Sequence, residues 1–127
     1  MNARVMVCVT GQKTCERLIA AGREIADAQG DALSVVHVAR PGGLFLGAES
    51  ESEALEYLYR KSVDFDADMT VLRAQNVVGT LVEYARENGV ATIVLGTAGT
   101  RGDRDIAREL EMLLPSVRVE VVRVGEP

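Results

Sequence analysis

Hydrophobic and polar positions along the chain switch between two periods, and the switches mark out alternating strands and helices. Arg4–Thr10 is short, β-branched and apolar at nearly every position, as a strand covered on both faces should be. Over Cys15–Gln29 the spacing becomes helical, with Cys15, Leu18, Ile19, Gly22, Ile25 and Ala26 on one stripe and Gly30 as the stop. Ala32–Ala39 is a second apolar strand, followed by Arg40-Pro41-Gly42-Gly43. Ser50 with Glu53 three residues later has capping-box spacing and opens a helix carrying Ala54, Leu55, Leu58 and Tyr59. Asp68–Ala74 is the third strand. Asn76 then caps a helix with Val78, Leu81, Val82 and Ala85 inside and Gly89 at its end.

Val90–Leu95 is the fourth strand and leads into Gly96-Thr97-Ala98-Gly99. A last helix is expected from about Asp103 to Leu114, stopped by Pro115, before a fifth strand over Val117–Val124. Helices between successive strands predict a single-domain α/β fold, an open parallel five-stranded sheet wound on both faces. In the fifth strand Val117, Val119 and Val121 alternate with Arg118 and Glu120, the pattern of an edge covered on one face. Such an edge predicts a homodimer joined along Val117–Val124, unless its charges serve to discourage pairing.

Composition narrows the field. The 127 residues suit one domain, and 14 Lys+Arg against 19 Asp+Glu leave a net charge of −5. That acidity argues against nucleic acid and anionic membrane as partners. No apolar run is long enough to span a bilayer. Cys8 and Cys15 are too few for a disulfide framework, and with His37 alone they make a poor zinc set. A reduced, cytoplasmic setting is expected.

In open parallel sheets, ligands sit beyond the carboxyl ends of the strands. This selects Thr10, Gly11, Gln12 and Lys13 after the first strand, His37 and Val38 at the end of the second, and Gly96, Thr97, Gly99, Thr100 and Arg101 after the fourth. Arg73–Asn76 follow the third. Glycines, hydroxyls and bases leading into helix N-termini favour a phosphate or another small anion. Gly11-Gln12-Lys13-Thr14 lacks the glycines of a P-loop. No G-x-G-x-x-G follows the first strand, and the acidic residues of a phospho-acceptor are missing. His37 is read as a structural histidine ahead of a ligand contact. Cys8 is read as core; Cys15 is core, or a thiol activated by a helix N-terminus. No catalytic residue or metal site emerges.

The segments V-M-V-C-V-T-G-Q-K-T-C-E-R-L-I and V-V-G-T-L-V-E-Y-A-R-E-N-G-V-A-T-I-V-L-G-T resemble the universal stress protein family over essentially the whole chain. The closest flavour is the variant found as a cytoplasmic module of potassium-responsive sensor histidine kinases. The resemblance implies an adenine-nucleotide α-hydrolase-like sheet of order 3-2-1-4-5, a homodimer through the fifth strand, and ATP or another adenine nucleotide as ligand. Of the family's G-x2-G-x9-G-[S/T] signature, Gly96 and Gly99 match, while Glu109-Leu110 stand where Gly-Ser is expected and Thr10 stands in the aspartate position. A cyclic di-AMP pattern of the kinase modules fits in register on Thr10-Gly11-Gln12 and Leu33–His37 but not in residue type. The expected function is a non-enzymatic binding or signalling module of the stress response. The alternatives are an ATP-binding protein with weak hydrolase activity, a thiol catalyst using Cys15, and a ligand-free interaction module docking through Leu44–Glu53, a segment that could equally be a lid.

Overall fold

In a computed structural model, which describes residues 3–10, 12–42, 50–97 and 101–123 and the side chains of all of these but 12–14 and 101–104, strands and helices alternate along the chain. They are β1 (Arg4–Cys8), α1 (Gln12–Gln29), β2 (Ala32–Ala39), α2 (Glu51–Asp64), β3 (Asp68–Arg73), α3 (Val77–Glu87), β4 (Val90–Thr97), α4 (Arg101–Leu113) and β5 (Arg118–Arg123). All pairings are parallel, in the order β3-β2-β1-β4-β5. The expected sheet and strand order are both present.

The continuous apolar runs became the centre of the sheet because each strand face has its own helical layer. Val5 and Val7 of β1 pack with Leu18 and Ile19 of α1 and Leu58 of α2. The alternate residues Met6 and Cys8 pack with Leu81 and Val82 of α3 and Leu110 of α4. Gly22 brings α1 down onto β1, since a Cβ there would overlap Val7 Cγ2. Edge strands β3 and β5 have no fully buried position; in β5 Val119 is half-buried as the alternation expected, but Val121 is exposed and Glu120 half-buried, so the one-sided pattern holds only in part.

Local chemistry sets the helix boundaries. Ser50 accepts the Glu53 N–H at 3.3 Å, and Asn76 Oδ1 accepts the Gly79 N–H at 2.9 Å, so both expected caps are formed. Gly30 and Gly89 end α1 and α3 with φ of +72° and +64°. Other boundaries move. Helix α1 begins at Gln12, not Cys15, and α4 spans Arg101–Leu113 rather than Asp103–Leu114. A polar first turn carries no apolar period to reveal it. The third and fifth strands stop at Arg73 and Arg123, and the fourth extends through Thr97. Strand β1 stops at Cys8, not Thr10.

Candidate functional site

A cavity of about 480 Å³ opens at the carboxyl ends of β1, β2 and β3. Its floor is Thr10 from β1 and His37–Arg40 from β2. The segment Gln75–Val78 at the start of α3 forms one wall, and Ile106 and Glu109 of α4 form the other. The cavity therefore lies beyond the carboxyl ends of the strands, the side expected for ligands in this architecture.

The β1–β2 ladder ends inside this cavity. Its last registered pair is Cys8 with Val36, and the Val9 N–H still donates to the Val36 carbonyl at 3.0 Å. A regular parallel ladder would continue with the Val38 N–H donating to the Val9 carbonyl. That bond is absent among the described residues. The Val9 oxygen instead takes the His37 imidazole at 2.7 Å. A carbonyl can only accept, so Nδ1 carries the hydrogen. His37 is almost fully buried, and burial lowers its pKa; the Val9 bond opposes that shift, while the Arg73 charge adds to it. The side chain stands in the fold as a neutral ring.

Alternation along β2 fixes where the neighbouring peptide groups point. The Ala39 carbonyl is turned toward β3, where it accepts the Ala74 N–H at 3.0 Å. Val36 and Val38 are turned the other way, toward β1, and β1 has ended by Val38. By this alternation the Val38 N–H and C=O both point to the β1 side of β2, beside a cavity with apolar walls at Val77, Val78 and Ile106. A flat heteroaromatic ring carrying an acceptor next to an amino group matches such a peptide edge. Arg40 and Glu109 supply one charge of each sign at the rim.

Of the residues expected at the site, Thr10, His37 and Val38 come together on the cavity. Gln12 and Lys13 lie in the first turn of α1, Arg101 begins α4, and Gly96 and Thr97 end β4. Gly11, Gly99, Thr100 and residues 44–49 of the Leu44–Glu53 segment lie outside the described residues. Sequence reasoning passed over Val77, Val78 and Ile106 as walls, because their helical spacing reads as core. Asn76 was read as a cap, and it does cap α3 while also lining the cavity. The activation considered for Cys15 is overturned: the thiol has no exposed surface, and its pKa is raised by burial and by the Glu16 charge. Cys8 is pushed up to about 12 by burial. Both cysteines are buried in the core, and neither forms a disulfide. Among the described residues no group of His, Cys, Asp and Glu is placed to hold a metal, and no helix is long and apolar enough to cross a membrane.

This is the sheet of the adenine-nucleotide α-hydrolase-like α/β proteins, with a cavity at the carboxyl ends of β1, β2 and β3. Residues 1–125 match the model of the universal stress protein family, and the chain belongs to that family. It is similar to a universal stress protein from Archaeoglobus fulgidus at 21% identity, covering 98% of this chain and 95% of that one with a TM-score of 0.69. A second structure from A. fulgidus, in complex with dAMP, is 22% identical, with 97% and 98% covered and a TM-score of 0.66. A universal stress protein in complex with cAMP is 16% identical, with 98% of each chain covered and a TM-score of 0.68. At these identities the likeness is one of fold. No curated protein matches by sequence.

Proposed function

We propose that the chain is a non-enzymatic, cytoplasmic receptor of the stress response that binds an adenine nucleotide in the cavity between β2, α3 and α4. The observation that supports this reading is the place of Val38, which lines the cavity just past the last registered β1–β2 pair, on a strand edge turned to the β1 side. Adenine presents N1 as an acceptor beside the N6 amino donor, the complement of that edge. Val77, Val78 and Ile106 offer the ring apolar cover, and Arg40 offers a cation to a phosphate. Similar chains that hold cAMP and dAMP agree with this choice of ligand.

Glu109 on the cavity wall favours a monophosphate over a triphosphate, since a carboxylate repels added phosphate charge. Signalling would then follow from assembly or from a partner that reads the filled cavity. For assembly, β5 is an edge strand with Val121 48% exposed, and a second copy paired there would cover it. Titration calorimetry of the full chain with AMP and with ATP tests the reading. AMP should bind more tightly than ATP, with no phosphate released from ATP on prolonged incubation. The absence of heat with AMP would sink the proposal.

A further inference from the structure

We propose that Glu109 is a specificity-determining residue that reads the sugar of the nucleotide, accepting the ribose 2′- and 3′-hydroxyls from the α4 wall while Arg40 takes the phosphate. The inference rests on the nucleotide reading above and assigns to each charge in the cavity the part of the ligand that it meets. Among the described residues that line the cavity, Glu109 is the one carboxylate and Arg40 the one guanidinium. Neither has a hydrogen bond or an ion pair among the described residues, and they are not paired with each other. The neighbouring strand end is different: Arg73, at the end of β3, is held by Glu51 of α2 at 2.9 Å. A cation and a carboxylate that share a cavity without pairing suit a ligand with one anionic part and one part that donates hydrogen bonds.

The fold decides which part goes where. Ile106 and Glu109 are three residues apart on α4 and share the face turned to the cavity, whereas Leu110 is buried in the core. Sheet order puts β1 between β2 and β4, so a ligand reaching across the cavity from β2 passes Thr10 before it meets α4. Adenine with its N1 and N6 edge at β2 carries N9 on the far side of the ring. Its sugar therefore leaves toward Thr10 and Glu109. Two adjacent hydroxyls match the two oxygens of one carboxylate, the chemistry by which an acid recognises ribose in dinucleotide-binding folds. A phosphate in the same place would meet like charge. Sugar at α4 and phosphate at Arg40 satisfy both groups at once.

Titration calorimetry of the full chain with AMP and with dAMP, which lacks the 2′-hydroxyl, tests the claim in wild type and in E109A. Wild type should bind AMP about tenfold more tightly than dAMP, the scale of one hydrogen bond to a charged group. In E109A the two affinities should become equal, with the loss falling on AMP. A displaced α4 would weaken both nucleotides alike, so the ratio separates reading of the sugar from a structural role. Equal binding of AMP and dAMP by wild type overturns the proposal, and so does a preference for AMP that survives in E109A. Either result leaves the nucleotide reading standing. Failure of wild type to bind AMP and dAMP overturns that reading, and the role of Glu109 with it.

Discussion

Among the described residues, one cavity at each end of the sheet can be compared; they are similar in size and different in kind. The one at the carboxyl ends measures about 480 Å³, and the one at the amino end of β4 measures about 350 Å³. The second lies between the end of α3 and the α4–β5 turn, with Arg86 and Leu113–Val117 in its lining. Two hydrogen bonds in its lining close that turn. Arg86 Nη2 donates to the Leu113 carbonyl at 3.2 Å, and the Val117 N–H donates to the Leu114 carbonyl at 3.0 Å. At the first cavity the ladder stops early and a strand edge faces open space. Volume alone does not distinguish a site from a packing gap; the difference lies in which backbone groups are left for a partner.

Helix α4 is a shared wall, with Ile106 and Glu109 toward one cavity and Leu113 and Leu114 toward the other. Leu110 sits between them, fully buried. Leu110→Ala should have the largest effect, a loss of about 2–5 kcal/mol in urea unfolding. A loss below about 1 kcal/mol would mean that α4 does not depend on this contact. Filling each cavity separately sharpens the contrast. Val78→Trp should weaken AMP binding at least tenfold, about 1.4 kcal/mol, while Ser116→Trp at the other end should leave it unchanged. Equal effects from both would erase the distinction between the two ends.

Asn76 joins fold and site, since it caps α3 and lines the first cavity. Asn76→Ala should cost about 1 kcal/mol of stability, measurable as a lower urea midpoint. The smallest effect is expected from pH. Burial and Arg73 hold the His37 pKa below its ordinary 6.5, so the unfolded chain binds the proton more readily than the folded one. The stability contributed by the neutral ring is fully present above pH 6.5 and is lost as pH falls through the lowered value. Melting temperatures taken from pH 7.5 to 5 should decline less in H37N than in wild type. An identical decline would remove His37 as a contributor.

The fold was largely legible in the sequence because its signals lie in side chains. The unbroken apolar runs Arg4–Thr10 and Ala32–Ala39 marked central strands, and Ser50 and Asn76 marked helix starts by the chemistry of their caps. The polar residues Gln12–Thr14 hid the first turn of α1, since polar positions carry no period. The site was legible only by position. Thr10, His37 and Val38 followed from the rule that ligands meet strand ends, but Val78 and Ile106 carry the same helical spacing as core residues. What makes Val38 distinctive is its peptide group, which no side-chain pattern records. His37 was rightly read as a satisfied structural histidine, and its acceptor is the Val9 main-chain oxygen.

The central claim is that the Val38 peptide edge receives the ligand. The most direct measurement is a proton–nitrogen correlation spectrum of the labelled chain titrated with AMP. The Val38 amide should shift saturably, together with residues at the start of α3, while Val90 and Ser116 at the opposite end remain in place. A saturable shift at Val90 or Ser116 with none at Val38, or no shift anywhere, would contradict the account.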